Sequence, residues 1–262
     1  MSILSLVRHG RGLGLSPRRR RARGATPPSI IQEGLLAEWR FDDGAGQQIT
    51  DYSGNGYHAT LGPTAGADTN EPVWSATGVD SIIDAANNRI ELSSGSDLGI
   101  SGGAPRTVIA VVQVDRTGSG LSAGAPLIWK GDGSNGRAWR WFGQFNTNNP
   151  SPQLDIHGTI HTFSTLNFTD GAWDFVALTQ SGNNLNTCRC YMNGDSELSN
   201  TSATINTTST AAMASRSSGA GGFKWIKHAY CLVYDRALSP AEVEQNRQAL
   251  KAILAGRAIT LP

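Results

Sequence analysis

The sequence predicts an all-β fold, an antiparallel sandwich of two sheets. Three observations support this prediction. Glycine is frequent, with 31 residues among 262, and charged residues make up only 16% of the chain. Short apolar runs alternate with clusters of Gly, Asn, Asp, Ser and Pro, as strands alternate with turns in a sandwich. The same features argue against a coiled coil or a helical solenoid.

The chain begins with a segment whose charge differs from that of the rest. Residues 1–30 contain seven arginines and no acidic residue. The remaining 232 residues contain 15 basic and 21 acidic residues, so a segment of charge +7 precedes a body of charge −6. The arginines are Arg8, Arg11, Arg18, Arg19, Arg20, Arg21 and Arg23. We expect an extended basic arm over 1–30 and one folded domain over 31–262.

The arm has three interpretations. It could bind nucleic acid or act as a nuclear-targeting patch, it could be a solvated tail, or it could dock onto an acidic partner surface. No aromatic side chains are interleaved with the arginines, so base stacking is not expected and nucleic acid is the less favoured partner. A secretory signal is not expected, because the apolar run at 3–7 is short and precedes the arginines. No apolar run approaches the roughly 18–20 residues of a membrane span.

Apolar periodicity predicts eight main strands. The run over 107–114 is continuous and rich in β-branched residues, which is typical of a central strand buried on both faces. Asn193-Gly194 predicts a tight turn after a strand. The predicted strands are 35–41, 107–114, 127–130, 138–145, 153–157, 173–179, 186–192 and 223–234, with a short one at 203–205 in a Ser/Thr-rich stretch.

The three cysteines are expected to be buried free thiols, because an odd number cannot form a complete disulfide framework. Cys188 and Cys190 should share one face of a strand. Metal binding by three cysteines is the alternative, but the chain has no C-x-x-C motif.

One C-terminal helix is predicted after the last strand. Ser239 is placed to cap its N-terminus, with Pro240 at the first helical position and Glu242 at the third, which is a capping box. Gly256 can end the helix. Because the helix is short, we expect it to pack on the edge of the sandwich.

Three motifs give the chain a family resemblance. They are the opening segment G-L-L-A-E-W-R-F-D-D-G (34–44) with D-Y-S-G-N-G-Y-H-A (51–59), then W-D-F-V-A (173–177) with Y-M-N-G (191–194), and finally Y-D-R-A-L-S-P-A-E-V (234–243). In this order they resemble laminin-G-like, concanavalin-A-like jelly-roll domains over about residues 34–250. The resemblance implies a jelly roll whose last strand runs beside the first, around Trp39 and Tyr234.

Catalysis is not expected. Retaining glucanases on this fold need two carboxylates about 5–5.5 Å apart. Their E-x-D-x-x-E spacing does not occur in the sequence. Asp155 stands alone in its predicted strand, and the consecutive Asp42 and Asp43 would face opposite ways in a strand.

The resemblance implies two possible binding sites. A structural Ca²⁺ could be held by oxygen ligands, although the same residues could simply hydrogen-bond their own turns. A sugar could stack on two tryptophans that share one strand face, although both could instead fill the core. The calcium candidates are Asp42, Asp51, Asn55 and Asp235. The sugar candidates are Trp139 and Trp141, with Arg137 and Asn146 beside them.

A laminin-G-like protein with a short attachment arm resembles bacteriophage virion components. We expect no signal peptide in this chain, and its sequence shows no catalytic carboxylate pair. We therefore expect a non-enzymatic virion surface protein, such as a capsid decoration, head-fibre or tail protein. Residues 1–30 would bind other virion proteins, and the jelly roll, as a homo-oligomer, would reinforce the shell or contact host glycans. The alternative is a free lectin-like carbohydrate-binding module.

Overall fold

The structure is a computed structural model, and only part of the chain is described by it. The described residues are 28–62, 64, 66–67, 71–81, 89–92, 98–114, 125–131, 136–143, 150–208, 211–213 and 226–262. The predicted arm up to residue 27 and the sugar candidate Asn146 lie outside these residues.

Two antiparallel sheets form the domain, which confirms the predicted all-β sandwich. Sheet A contains β1 (Leu35–Trp39), β4 (Val73–Ser75), β5 (Gly78–Ser81), β7 (Arg106–Val114), β12 (Trp173–Gln180), β13 (Cys188–Met192), β14 (Asp195–Leu198) and β16 (Ile226–Tyr234). Sheet B contains β2 (Gln48–Ile49), β3 (Ala59–Leu61), β6 (Ile90–Leu92), β8 (Ala125–Gly131), β9 (Ala138–Gly143), β10 (Pro152–Asp155), β11 (Ile160–Thr162) and β15 (Ala211–Met213). A helix, α1 (Pro240–Ala255), follows β16.

The strand order places the first and last strands side by side, as predicted. Sheet A runs β14-β13-β12-β7-β16-β5-β4, and β1 pairs with β16. Sheet B runs β11-β10-β9-β8-β15-β6-β3-β2. In the β1–β16 ladder Leu35 lies opposite Tyr234 and Trp39 lies opposite Cys231.

The central strands of sheet A are buried on both of their faces. In β7, Val108 and Val112 pack into the core between the sheets, whereas Ile109 and Val111 point the other way and belong to a second apolar cluster. That second cluster also contains residues of α1, such as Leu250. Strand β7 is continuously apolar because one of its faces packs against sheet B and the other against helix α1.

The position of the helix differs from the prediction. It covers the outer face of sheet A instead of the edge of the sandwich, with Val243, Leu250 and Leu254 packed in the same cluster as Phe175 and Leu232 of the sheet. The physical reason is that the outer face of sheet A is apolar and must be shielded from water.

The ends of the helix match the prediction. The Ser239 side chain accepts a hydrogen bond from the backbone N–H of Glu242, whose carboxylate accepts one from the Ser239 backbone, and Gly256 is the C-terminal cap. Among the described residues, no helix is long and apolar enough to cross a membrane.

Two predicted strands end earlier than expected, for the same backbone reason. Strand β1 ends at Trp39 because the chain turns at Phe41, whose φ is +51°. Strand β10 ends at Asp155 because His157 has a φ of +57° in the turn to β11. Side chains other than glycine rarely adopt this left-handed conformation, and β propensity did not predict it.

The three cysteines are buried and free, as predicted. Cys188 and Cys190 both face the core between the sheets. Burial raises the pKa of Cys188 to about 12, with the charge of Arg106 opposing the shift. These thiols are therefore unreactive core residues at neutral pH.

A buried imidazole predicts how stability depends on pH. His228 is 1% exposed, packs against the ring of Phe41 at 5.7 Å, and has a ring Nε2 without a hydrogen-bond partner among the described residues. Burial lowers the pKa of His228 to about 4, below the ordinary 6.5. The unfolded chain therefore binds a proton more readily than the folded chain between these two values. We expect the free energy of unfolding to fall by about 3 kcal/mol from this group as the pH drops from 6.5 to 4.

Denaturant titrations at a series of pH values would measure this loss in the parent and in His228→Phe. The variant should show a shallower decline between pH 6.5 and 4. Cys231→Ala is the matched control, because Cys231 lies in the same strand, is also 1% exposed and leaves the imidazole in place; it should lower stability at every pH and keep the decline of the parent. An identical acid dependence of His228→Phe and parent would contradict the assignment.

Candidate functional site

A cavity of about 530 Å³ opens where strand β16 changes neighbours along one edge. Residues 226–228 of β16 pair with β5, and residues 231–234 pair with β1 on the same edge. The register against β7 shifts between His228 and Tyr230, which is a β-bulge at Ala229. The cavity is lined by Phe41, Asp42, Gly44, Trp74, Ser75, Ala76 and Arg257.

The loop after β1 supplies one wall of the cavity. Phe41 is 1% exposed and has a φ of +51°, so the chain leaves the sheet abruptly at this residue. The turn places the next residue, Asp42, at the rim with its side chain exposed. A large side chain in the left-handed region costs free energy, and such strain clusters at functional sites.

Arg257, just after the helix, holds the walls of the cavity together. Its Nη1 donates to the carbonyl oxygens of Arg40 at 2.6 Å and Ala229 at 3.0 Å. Its Nη2 donates to the carbonyl oxygens of Phe41 at 3.2 Å and of Thr77. Burial lowers the pKa of Arg257, and the negative charge of Asp42 opposes this shift. One guanidinium thus links the loop after β1, the β4–β5 turn and the β16 bulge.

Trp74 of β4 forms the opposite wall. Its indole N–H donates to the carbonyl oxygen of Gly46 at 2.7 Å, which fixes the orientation of the ring. The side chain is half-buried, with part of the ring packed against the core between the sheets. A half-exposed ring in a fixed orientation is a surface on which a flat, partly apolar ligand can lie.

A network of paired charges lies beside the cavity. Arg40 Nε donates to the buried Glu38 carboxylate at 2.9 Å, and the Tyr230 hydroxyl also donates to that carboxylate. Burial and the contact with Glu38 raise the pKa of Tyr230. The Arg40 guanidinium lies 4.2 Å from the centre of the Tyr52 ring, which is 42% exposed. The charges of Glu38 and Arg40 therefore satisfy each other.

The calcium prediction is not supported, because Asp51 is occupied by the turn that contains it. One carboxylate oxygen accepts from the backbone N–H groups of Glu38 and Ser53, both at 2.9 Å. The other accepts from the Ser53 hydroxyl at 2.8 Å and the Tyr57 N–H at 2.9 Å. This carboxylate organises the D-x-S-G-N-G loop, as the alternative interpretation stated.

The other three calcium candidates do not join Asp51 in a metal site. Asn55 donates from Nδ2 to the carbonyl oxygens of Leu35 and Leu36, at 3.1 and 2.9 Å. Asp42 lies at the cavity rim, and Asp235 is exposed at the end of β16. In the part of the chain that the structure describes, no three His, Cys, Asp or Glu side chains come together to hold a metal.

The stacking role predicted for two tryptophans is corrected. Trp139 and Trp141 are 1% and 0% exposed and pack in the core between the sheets, so neither offers a ring face to a sugar. Trp141 pairs with the equally buried Leu154 of β10. Arg137 is exposed just before β9, whereas Asn146 is not described.

Sequence patterns did not predict most of the residues that build the cavity. Trp74 lies in a strand of three residues, and Arg257 follows the helix, outside every motif. Trp74 reaches the cavity through the pairing of β4 with β5 and of β5 with β16, and Arg257 reaches it because the helix crosses the sheet. Asp42 was among the sequence candidates, but for a different role.

Comparison of the sequence with models of protein families finds no match, and comparison with curated proteins finds none either. Solved structures do resemble the fold. A sialidase of Trypanosoma rangeli in complex with 2,3-difluoro-KDN matches with a TM-score of 0.58 at 15% identity, covering 92% of this chain. The match covers 36% of the sialidase, so this chain spans about a third of its length.

Two smaller structures match over a larger share of their own length. Domain 4 of AbnA, a GH43 extracellular arabinanase from Geobacillus stearothermophilus, in complex with arabinotriose, gives a TM-score of 0.54 at 16% identity, over 86% of this chain and 100% of the domain. The binding domain of Paraclostridial Mosquitocidal Protein 1 gives 0.56 at 18% identity, over 81% of this chain and 51% of that one. At these identities the likeness establishes a shared β fold.

Proposed function

We propose that this protein is a carbohydrate-binding module and that its sugar site is the cavity between Trp74 and Arg257. The observation that carries the proposal is the composition of this cavity. A fixed, half-exposed indole, an exposed carboxylate at Asp42 and a guanidinium surround a space of about 530 Å³. A sugar ring has apolar C–H faces and polar hydroxyl edges, so an aromatic ring beside polar groups matches it.

The structural neighbours support the same class of ligand. The arabinanase domain was solved with arabinotriose, and this chain aligns with the whole of that domain. The mosquitocidal protein contributes a domain described as a binding domain. One neighbour holds an oligosaccharide and the other is a binding domain, and both observations support a binding role for this chain.

Binding without catalysis is part of the proposal. Most glycoside hydrolases use two carboxylates on either side of the scissile bond. Of the described side chains that line the cavity, Asp42 is the one carboxylate. A site with this composition can hold a sugar through stacking and hydrogen bonds, and its described lining does not supply a pair of carboxylates.

The stacking role of Trp74 is testable by substitution. Trp74→Ala in the full chain should weaken binding to the preferred glycan about tenfold or more, because it removes the apolar surface under the sugar. A glycan array that includes arabinotriose would identify the ligand, and isothermal titration would measure its affinity.

Val73→Ala is the matched control, since Val73 is the preceding residue of β4, is 49% exposed and does not line the cavity. Its affinity should equal that of the parent. Because Trp74 also packs on the core, Asp42→Asn provides a second variant at an exposed position, and it should lose affinity without loss of stability. Parental affinity in both Trp74→Ala and Asp42→Asn would exclude this cavity as the sugar site.

We propose as a second function that residues 1–30 attach the domain to an acidic surface on a virus particle, where it would face outward as a homo-oligomer and contact host glycans. The charge of +7 on this segment, against −6 on the rest of the chain, supports attachment through the arm. The domain and the arm would then have separate roles, recognition and anchoring. Attachment of this kind depends on ionic strength.

Removal of residues 2–27 tests the anchor and leaves the domain intact. The cut spares Ser29 and Ile31, which bond to Gln245 and Asn246 of α1. We expect the truncated protein to keep its thermal midpoint and its glycan affinity but to lose co-sedimentation with particles on a density gradient. A second variant replaces the seven arginines by glutamine and keeps the length of the arm. It should lose attachment as completely as the truncated protein does, because the positive charge is removed. Attachment that survives both changes would refute the anchor. If the parent binds DNA as tightly as it binds the particles, the arm would instead have a nucleic-acid role.

A further inference from the structure

The hydrogen bonds that Arg257 already makes limit the kind of sugar that the cavity can bind. A guanidinium has five N–H donors and binds a carboxylate best through two parallel ones. In this structure four bonds run from the two terminal nitrogens of Arg257 to main-chain carbonyl oxygens. At most one donor, the Nε–H, is left for a ligand. Arg257 therefore cannot form the paired contact through which arginine recognises an acidic sugar.

The other charged group at the cavity is an acceptor. Asp42 is exposed and lines the cavity, and an ionised carboxylate can only accept hydrogen bonds. The hydroxyl groups of a sugar can donate to it. A carboxylate on the ligand would instead face Asp42 at close range, and like charges at such a distance repel each other.

The other charged groups around the cavity also disfavour a ligand that carries a carboxylate. Asp43, the next residue, accepts from the Thr50 N–H at 3.1 Å and adds a second negative charge. Arg40 is paired with Glu38 at 2.9 Å, so its positive charge is neutralised nearby. Among the described charged groups around the cavity, Glu38, Arg40, Asp42, Asp43 and Arg257, the negative ones outnumber the positive ones by one.

We propose that the cavity binds neutral sugars through their hydroxyl groups and rejects sugars that carry a carboxylate. This inference rests on the carbohydrate binding proposed above. Asp42 is the residue that determines the preference, by accepting hydroxyl hydrogen bonds and repelling ligand carboxylates. Arg257 shapes the cavity and contributes little direct recognition, because its donors are already used.

The experiment is a glycan array of matched pairs, probed with the full chain. Each pair consists of a uronic or sialic acid oligosaccharide and its methyl ester, which has the same skeleton without the charge, and arabinotriose is included as a neutral sugar. We expect the bound skeletons to prefer the neutral member about tenfold, and this ratio to shrink in 1 M NaCl, where the screening length falls to about 3 Å.

Asp42→Asn should bring the neutral and acidic members to within about threefold of each other while weakening the neutral one, since the repulsion and the strong acceptor are lost together. Asp195→Asn is the matched control, because Asp195 is an exposed aspartate in β14, at the opposite edge of sheet A, and it should leave the ratio unchanged. Equal or tighter binding of the acidic members by the parent would overturn the charge preference while carbohydrate binding stands. Binding to no glycan at all would overturn both.

Discussion

The constraint on which the rest of the structure depends is the double burial of sheet A. Its central strands carry apolar side chains on both faces, so one face needs sheet B and the other needs a cover of its own. Helix α1 provides that cover, and for this reason the chain crosses back over the sheet after its last strand. The crossing ends at Arg257, beside the edge of β16, and it brings to the cavity a side chain that comes from outside both sheets. The cavity therefore forms because the helix that covers sheet A ends beside β16.

Strand β16 explains why the cavity forms at this edge. Two short partners, β5 and β1, share one edge of it, and neither covers the bulge between them. The carbonyl of Ala229 points into this gap and needs a donor, which Arg257 supplies at 3.0 Å. The same guanidinium also satisfies carbonyls of the two segments on either side. A break in strand pairing is therefore filled by one cation, and the space next to it is left open to solvent.

Local sequence signals predicted the fold well, because each depends on neighbouring residues. The capping box at Ser239 and the β-branched run of β7 required no knowledge of distant contacts. The site was harder to predict. The spacing of Trp139 and Trp141 showed that they share a face, but alternation alone does not say which face is buried. The carboxylate of Asp51 could equally have served a metal or its own turn, since both need oxygen acceptors, and the choice became clear only from its four hydrogen bonds to Glu38, Ser53 and Tyr57. Trp74 and Arg257 lie 183 positions apart in the chain, and no local pattern joins them.

The bulge in β16 separates the strand into two halves that pair with different neighbours. Before it, Ile226 and His228 face the core between the sheets, and after it Cys231 and Val233 do, so the alternation changes phase by one residue. The two halves of the strand thus obey separate registers. The β4–β5 hairpin can exchange exposed side chains, such as that of Val73, beside the first half without changing the register of β1 against the second. Side chains on one wall of the cavity can accordingly change while the strand that closes the domain stays in place, so the lining of the cavity can diversify on an unchanged scaffold.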